Sequence, residues 1–170
     1  VDDKPAGGGA GMVLRADVIG KAIDHVLHQQ KTAKPLIFLS PRGHVFDQKM
    51  ATEWIKKAGI VLLAGRFEGV DQRVIDHYGI QEVSLGDFVM SGGEIAAQAM
   101  IDACVRLLPG VLGNAASIEE ESHQNGLLEY PQYTRPNEWN GKKIPDVLLS
   151  GDHQKIDEWR RSEAEKLTKS

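Results

Sequence analysis

Two unbroken apolar runs of strand length, Pro35-Leu36-Ile37-Phe38-Leu39 and Ile60-Val61-Leu62-Leu63-Ala64, constrain this chain more than any other feature. A strand with no polar face has none to give to water, so such runs belong in a parallel sheet covered by helices on both sides. Gln81-Glu82-Val83-Ser84-Leu85, alternating polar and apolar, supplies a third strand. The intervening sequence has helical spacing. Asp47 to Lys57 carries Met50, Ala51, Trp54 and Ile55 inward and stops at Gly59, and a helix starting at Asp71 closes at Tyr78-Gly79. A long helix from Glu94 to Leu108 ends at Pro109-Gly110, and Val18-Ile19, Ala22-Ile23 and Val26-Leu27 mark one face of a first helix. Strands alternating with helices predict α/β architecture.

Each strand runs into a loop of unusual chemistry: Ser40-Pro41-Arg42-Gly43, Gly65-Arg66-Phe67-Glu68-Gly69, and Gly86 to Gly93. In a parallel sheet these loops share the carboxyl side, where α/β folds bind ligands, so one composite pocket is the economical expectation. The third loop, Ser84 to Glu94, reads as strand, glycine loop and helix start, which brings backbone amides close to a ligand. A plain tight β-α turn reads equally from that loop alone, because dinucleotide and phosphate-loop spacings are both missing.

The 170 residues suit one domain with a small appendage. With 26% charged and 41% hydrophobic residues the chain is globular; no run approaches a membrane span, and nothing resembles a signal peptide, so the expected compartment is the cytoplasm. Cys104 alone excludes internal disulfides and cysteine-based metal clusters. The net charge of −4 argues against coating nucleic acid by bulk electrostatics. Between residues 58 and 134 only Arg66, Arg73 and Arg106 are basic, against eleven acids, which suggests placed arginines; the plain reading pairs them with acids such as Glu68 and Asp71. Gly7-Gly8-Gly9-Ala10-Gly11 reads as a mobile loop, and the acidic 114–125 segment as a mobile linker. Residues 127–136 are extended and proline-marked, and Gln154 to Lys169 is a polar helix anchored by Ile156 and Trp159.

In combination and in order, Gly7 to Met12, Ser40 to Gly43, Gly65 to Arg73, the loop at 84–94, Arg106-Leu107-Leu108-Pro109-Gly110-Val111-Leu112, Gly126 to Pro131, Tyr133-Thr134-Arg135-Pro136 and Leu148 to His153 resemble the bacterial tRNA (guanine-N1)-methyltransferases of the SPOUT class. The resemblance covers nearly the whole chain. It implies a parallel sheet flanked by helices with a deep trefoil knot, which no spacing could supply, and a small carboxyl-terminal helical extension. The implied division is an α/β methyltransferase domain over 1–113, the linker over 114–125 and the extension over 126–170. The resemblance also implies a further strand and helix before this chain's first residue. Transfer of a methyl group from S-adenosylmethionine to N1 of guanosine 37 in tRNA by a homodimer, an association with magnesium, and no membrane partner are also implied.

The resemblance implies that Phe38, Leu39, Ser40, Pro41, Gly43, Gly65, Arg66, Glu68, Gly69, Ser84, Leu85, Gly86, Phe88, Met90, Gly92 and Gly93 line the donor site, with Gly11, Arg106 and Glu121 toward the substrate. Arg106 would stabilise the guanine oxygen. The family's base is an aspartate fifteen residues beyond that arginine, and this chain has Glu121 there, with Glu120 as its stand-in and His123 where an aromatic residue is usual. A carboxylate is kept but moved by one methylene. Another RNA substrate, a non-catalytic binding module, or a dinucleotide-binding domain are the alternatives from the sequence.

Overall fold

The computed structural model describes residues 1–30, 32–111 and 126–169, in two compact units, Val1–Leu112 and Gly113–Ser170. The first unit opens with a short antiparallel pair, β1 (Asp2–Asp3) and β2 (Val13–Leu14), followed by α1 (Ala16–His28). Its sheet contains β3 (Leu36–Val45), β4 (Val61–Ala64) and β5 (Gln81–Ser84), all parallel, in the order β4-β3-β5. Helices α2 (Gln48–Trp54), α3 (Gln72–Tyr78) and α4 (Glu94–Val105) connect and follow the strands.

The continuous apolar character of β3 is explained by two cores on opposite faces. Phe38 packs with Ile23, Val70, Val74, Ile75 and Ile80, under α1 and α3. Ile37 and Leu39 point the other way, with Trp54, Val83, Ala96 and Met100, under α2 and α4. Alternate side chains of one strand therefore feed two layers, as the sheet period requires. Helix ends follow local chemistry: Asp47 caps α2 by accepting from the Met50 amide at 2.7 Å, and Gly79 ends α3 with φ 59°, a left-handed conformation that glycine adopts without a Cβ penalty.

The sequence predicts that Ser40-Pro41-Arg42-Gly43 ends the strand, but β3 continues through it. Leu39 pairs with Val83, the chain makes an excursion, and His44 and Val45 pair again with Val83 and Ser84. The Phe46 amide extends the contact to the Ser84 carbonyl at 2.8 Å. Gly43 permits this second pairing, because a Cβ there would lie 2.5 Å from the Glu82 carbonyl oxygen, far inside van der Waals contact.

The second unit is built on the hairpin β6 (Glu138–Trp139) and β7 (Lys142–Lys143), then α5 (Asp146–Leu149) and α6 (His153–Lys169). Trp159 of α6 meets the rings of Tyr130 and Tyr133 edge-on, at 6.5 and 6.1 Å between centroids, and the Arg160 guanidinium lies 5.0 Å from the Tyr130 ring centre. The linker expected at 114–125, with Glu121, lies outside the described residues. Among the described residues no helix is long and apolar enough to cross a membrane.

Candidate active site

The carboxyl ends of β3, β4 and β5 gather the three loops around one cavity of about 300 Å³, at the lower end of the size range for small-molecule sites. Every residue expected at the donor site lines it except Gly43 and Gly86. Gly43 instead packs on the Glu82–Val83 backbone, and Gly86 makes room for the Phe88 ring, whose Cε1 a Cβ would meet at 2.7 Å. Both glycines shape the walls from behind.

The loops are tied to one another. The Gly93 amide donates to the Gly65 carbonyl at 3.0 Å, and Arg66 and Gly92 form an isolated antiparallel bridge. Gly93 is needed at that seam, since a Cβ would sit 2.9 Å from Ala64 Cα and 3.2 Å from Leu39 Cβ. Arg66 closes the same junction through an ion pair with Glu94 at 3.0 Å. A hydrogen bond from its own backbone amide, and after it the one from Arg66, outweighs desolvation and holds the Glu94 carboxyl below its ordinary range. Ser84 Oγ accepts from the Gly86 amide at 3.2 Å and donates to the Gly86 carbonyl at 2.9 Å, fixing the start of the third loop.

The glycine-rich segment near the amino terminus is anchored at its far end. The Glu68 amide donates to the Met12 carbonyl at 2.9 Å, the Leu14 amide to Gly69 at 2.9 Å, and the Asp71 amide back to Leu14 at 3.1 Å. Gly11, expected toward the substrate, lies against the Glu68 side chain, which lines the pocket. Gly11 itself adjoins that wall without lining the cavity.

Two further arginines near the pocket have acidic partners. Arg42 reaches Glu82 at 3.0 Å. Arg73 donates twice to Asp71, Nε at 2.9 Å and Nη2 at 2.7 Å; the Arg73 side chain, then the Arg73 backbone amide and charge, overcome desolvation and bring the Asp71 carboxyl down to about 2. Arg106 does not line the pocket. It caps the carboxyl end of α4, half-buried, its amide donating to Asp102 at 3.2 Å. Twelve helical residues separate it from Gly93, a length of about 18 Å at 1.5 Å per residue. Within one chain, Arg106 and the three-loop pocket are therefore at opposite ends of a helix.

Sequence reasoning missed Arg42, Phe67, Val83, Val89, Ser91 and Ala96 as lining residues. Arg42, Phe67, Val89 and Ser91 sat inside the loops already singled out, so proximity was the available signal; Val83 and Ala96 carry only core chemistry. Among the described residues, no group of three or more His, Cys, Asp or Glu side chains is placed to hold a metal ion.

The family described as tRNA (Guanine-1)-methyltransferase TrmD matches residues 1–170. The chain belongs to that family. A tRNA (guanine-N(1)-)-methyltransferase from Ruegeria sp. (strain TM1040) is 66% identical over 168 residues, which cover 99% of this chain and 69% of that protein. The protein of the same name from Ruegeria pomeroyi is 64% identical over 169 residues, covering 99% and 70%, and that from Mesorhizobium japonicum 59% over 169 residues, covering 99% and 72%. Membership of the tRNA (guanine-1)-methyltransferase family bears out the resemblance carried by the ordered motifs. The loops at 40–43, 65–69 and 86–93, among the segments on which the resemblance rested, meet in the cavity.

Proposed function

We propose that the protein methylates N1 of guanosine 37 in tRNA, using S-adenosylmethionine bound in the three-loop pocket, as a cytoplasmic homodimer with a deep trefoil knot in the carboxyl half of its α/β unit. The observation that carries this reading is the convergence of three separate family motifs on one cavity. The cavity suits the donor chemically. Phe38, Leu39, Leu85 and Met90 offer apolar walls for a purine and a thioether-like chain, and Ser40, Ser84, Arg66 and Glu68 offer polar groups for the ribose and amino-acid portions. When bound, S-adenosylmethionine supplies an electrophilic methyl group on a sulfonium.

The chain's residues then have three tasks. The pocket loops hold the donor and exclude water from it. A carboxylate, Glu121 in this reading, takes the N1 proton, so that the guanine is neutral once N1 has gained the methyl group. The Arg106 guanidinium faces O6, where negative charge develops as N1 is deprotonated. Arg106 and the pocket lie at opposite ends of α4, which supports a site completed by a second copy. The outward face of α4 is apolar at Ile95, Ile101 and Val105, and Val89 beside it is 82% exposed; burying such a surface against a partner subunit is favourable.

The test is methyl transfer from labelled S-adenosylmethionine to tRNA transcripts with and without guanosine at position 37, the product mapped by mass spectrometry. Transfer only to N1 of that guanosine is expected. Absence of transfer, or transfer indifferent to position 37, refutes the assignment, and acceptance by ribosomal RNA instead redirects it to another RNA.

A further inference from the structure

The β6–β7 hairpin presents chemistry that neither its own unit nor the proposed methyl-transfer site uses. Of the three tryptophans, Trp54 is buried in a core and Trp159 packs with two tyrosines. Trp139 is 67% exposed, and among the described residues its ring has no aromatic partner. Among the exposed apolar side chains of the described residues, it is the one tryptophan, the ring with the largest stacking face.

The backbone that carries the ring is held in place. Asn140 and Gly141 have φ 51° and 74°, the pair of positive values that makes a tight two-residue hairpin turn. The Ile144 amide donates to the Asn137 carbonyl at 3.0 Å and closes the base of the hairpin. Trp139 stands directly opposite Lys142 in the register, so the indole and an ammonium share one face. Lys142 makes no ion pair among the described residues. Lys143, opposite Glu138, meets it only at 4.0 Å with both side chains well exposed, a pairing too weak to neutralise it. Residues 135–143 hold Arg135, Lys142 and Lys143 against Glu138 alone, in a chain whose net charge is −4.

An exposed ring beside unneutralised cations, carried on a hairpin whose backbone is set before anything binds, matches an unstacked base flanked by phosphates. A preorganised surface loses little entropy on binding. Resting on the proposed tRNA substrate, we infer that the 138–143 hairpin is a contact surface for tRNA: the Trp139 ring stacks on a splayed base and Lys142 and Lys143 meet the adjoining phosphates. The surface sets substrate affinity and takes no part in methyl transfer itself.

Trp139→Ala, Trp139→Phe and the double Lys142→Glu/Lys143→Glu protein are compared with wild type by filter binding to tRNA across salt concentrations, and by steady-state methyl transfer. Trp139→Ala raises Kd and KM for tRNA about tenfold, with kcat within about twofold, and Trp139→Phe recovers most of the loss. The double lysine variant flattens the slope of log affinity against log salt by about 2, near one unit per lost phosphate contact. Affinity for S-adenosylmethionine by calorimetry, and the thermal midpoint, stay at wild-type values. The inference is overturned if wild type methylates tRNA and every variant binds it within about twofold of wild type. It is equally overturned if Trp139→Ala lowers the midpoint and donor affinity, making Trp139 a structural residue, or if it changes the oligomeric state by size exclusion, making the hairpin a contact between copies. Wild-type protein that neither binds nor methylates tRNA refutes the proposed function itself, and this contact with it.

Discussion

Gly43→Ala separates a packing glycine from a ligand-contacting one. The added Cβ would lie 2.5 Å from the Glu82 carbonyl oxygen and closer still to the Glu82 carbonyl carbon and the Val83 nitrogen. Ordinary non-bonded separations are about 3.5–4.0 Å, so something must move by roughly 1 Å. The obstructing atoms are strand backbone, not the end of a flexible side chain. If the second pairing of β3 yields, the contacts of His44 and Val45 with Val83 and Ser84 and the Phe46 amide bond to Ser84 are lost. Two or three backbone hydrogen bonds at about 1 kcal/mol each amount to roughly 2–3 kcal/mol. If the pairing holds, overpacking costs about 1–3 kcal/mol. Alanine returns about 0.4–1 kcal/mol by restricting the unfolded chain. The net loss is about 2 kcal/mol, or a midpoint lower by about 4–8 °C for a chain of this size. Urea unfolding followed by tryptophan fluorescence, with Trp54 in the adjoining core, measures it. Stability within about 0.5 kcal/mol of wild type, with weakened donor binding, would mean that Gly43 touches the ligand and that the packing account is wrong.

Gly20→Ala is expected to act in the opposite direction. Position 20 is inside α1 and its Cβ would meet Tyr78 Oη at an ordinary 3.4 Å, so thermal unfolding should show a gain of about 0.5–1 kcal/mol from helix propensity. Gly93→Ala pushes Ala64 and Leu39 from the loop seam; calorimetry should show donor affinity falling at least tenfold, and an unchanged value would remove Gly93 from the pocket's architecture. Glu121→Gln should lower single-turnover methyl transfer by about 10²-fold or more while donor affinity holds, the usual range for losing a general base, and an undiminished rate excludes Glu121 as the base. Asp71 titrates at about 2 in the folded protein against an ordinary 3.8. Its stabilisation is therefore complete above pH 4 and lost as pH falls toward 2. Because Arg73 is 82% exposed, solvent screening leaves less than about 1 kcal/mol, and an Asp71→Asn protein should lose that increment of pH-dependence in acid unfolding.

The three strands and the helices between them were legible because each element's apolar period is local. The return of β3 to β5 was not. Ser40-Pro41-Arg42-Gly43 carries turn chemistry, and the partner that overrides it lies about forty residues downstream. Range separates the arginines in the same way: Arg73 with Asp71 is a pairing two residues apart, foreseeable from sequence, whereas Arg66 with Glu94 spans 28 residues. That three loops would meet at one cavity was readable from glycine-bearing strand ends in a parallel sheet. The supporting roles of Gly43 and Gly86 were hidden, because a glycine that touches a ligand and one that admits a neighbour look alike in a string of letters. Nothing in the sequence singles out Trp139, since strands of two residues have no period to detect.

The double pairing of β3 with β5 also has a kinetic side. Bringing Leu39 to Val83 closes a long loop, and its entropy is lost once; the second pairing then closes only the short excursion through Ser40 to Gly43. Neither pairing can open alone without exposing backbone groups that the other keeps in place. The excursion and the start of the third loop both line the pocket, so two of its walls should open as one cooperative unit. Amide exchange at Phe46 and Val83 should therefore track global unfolding, and the three-loop cavity should persist until the whole α/β unit is lost.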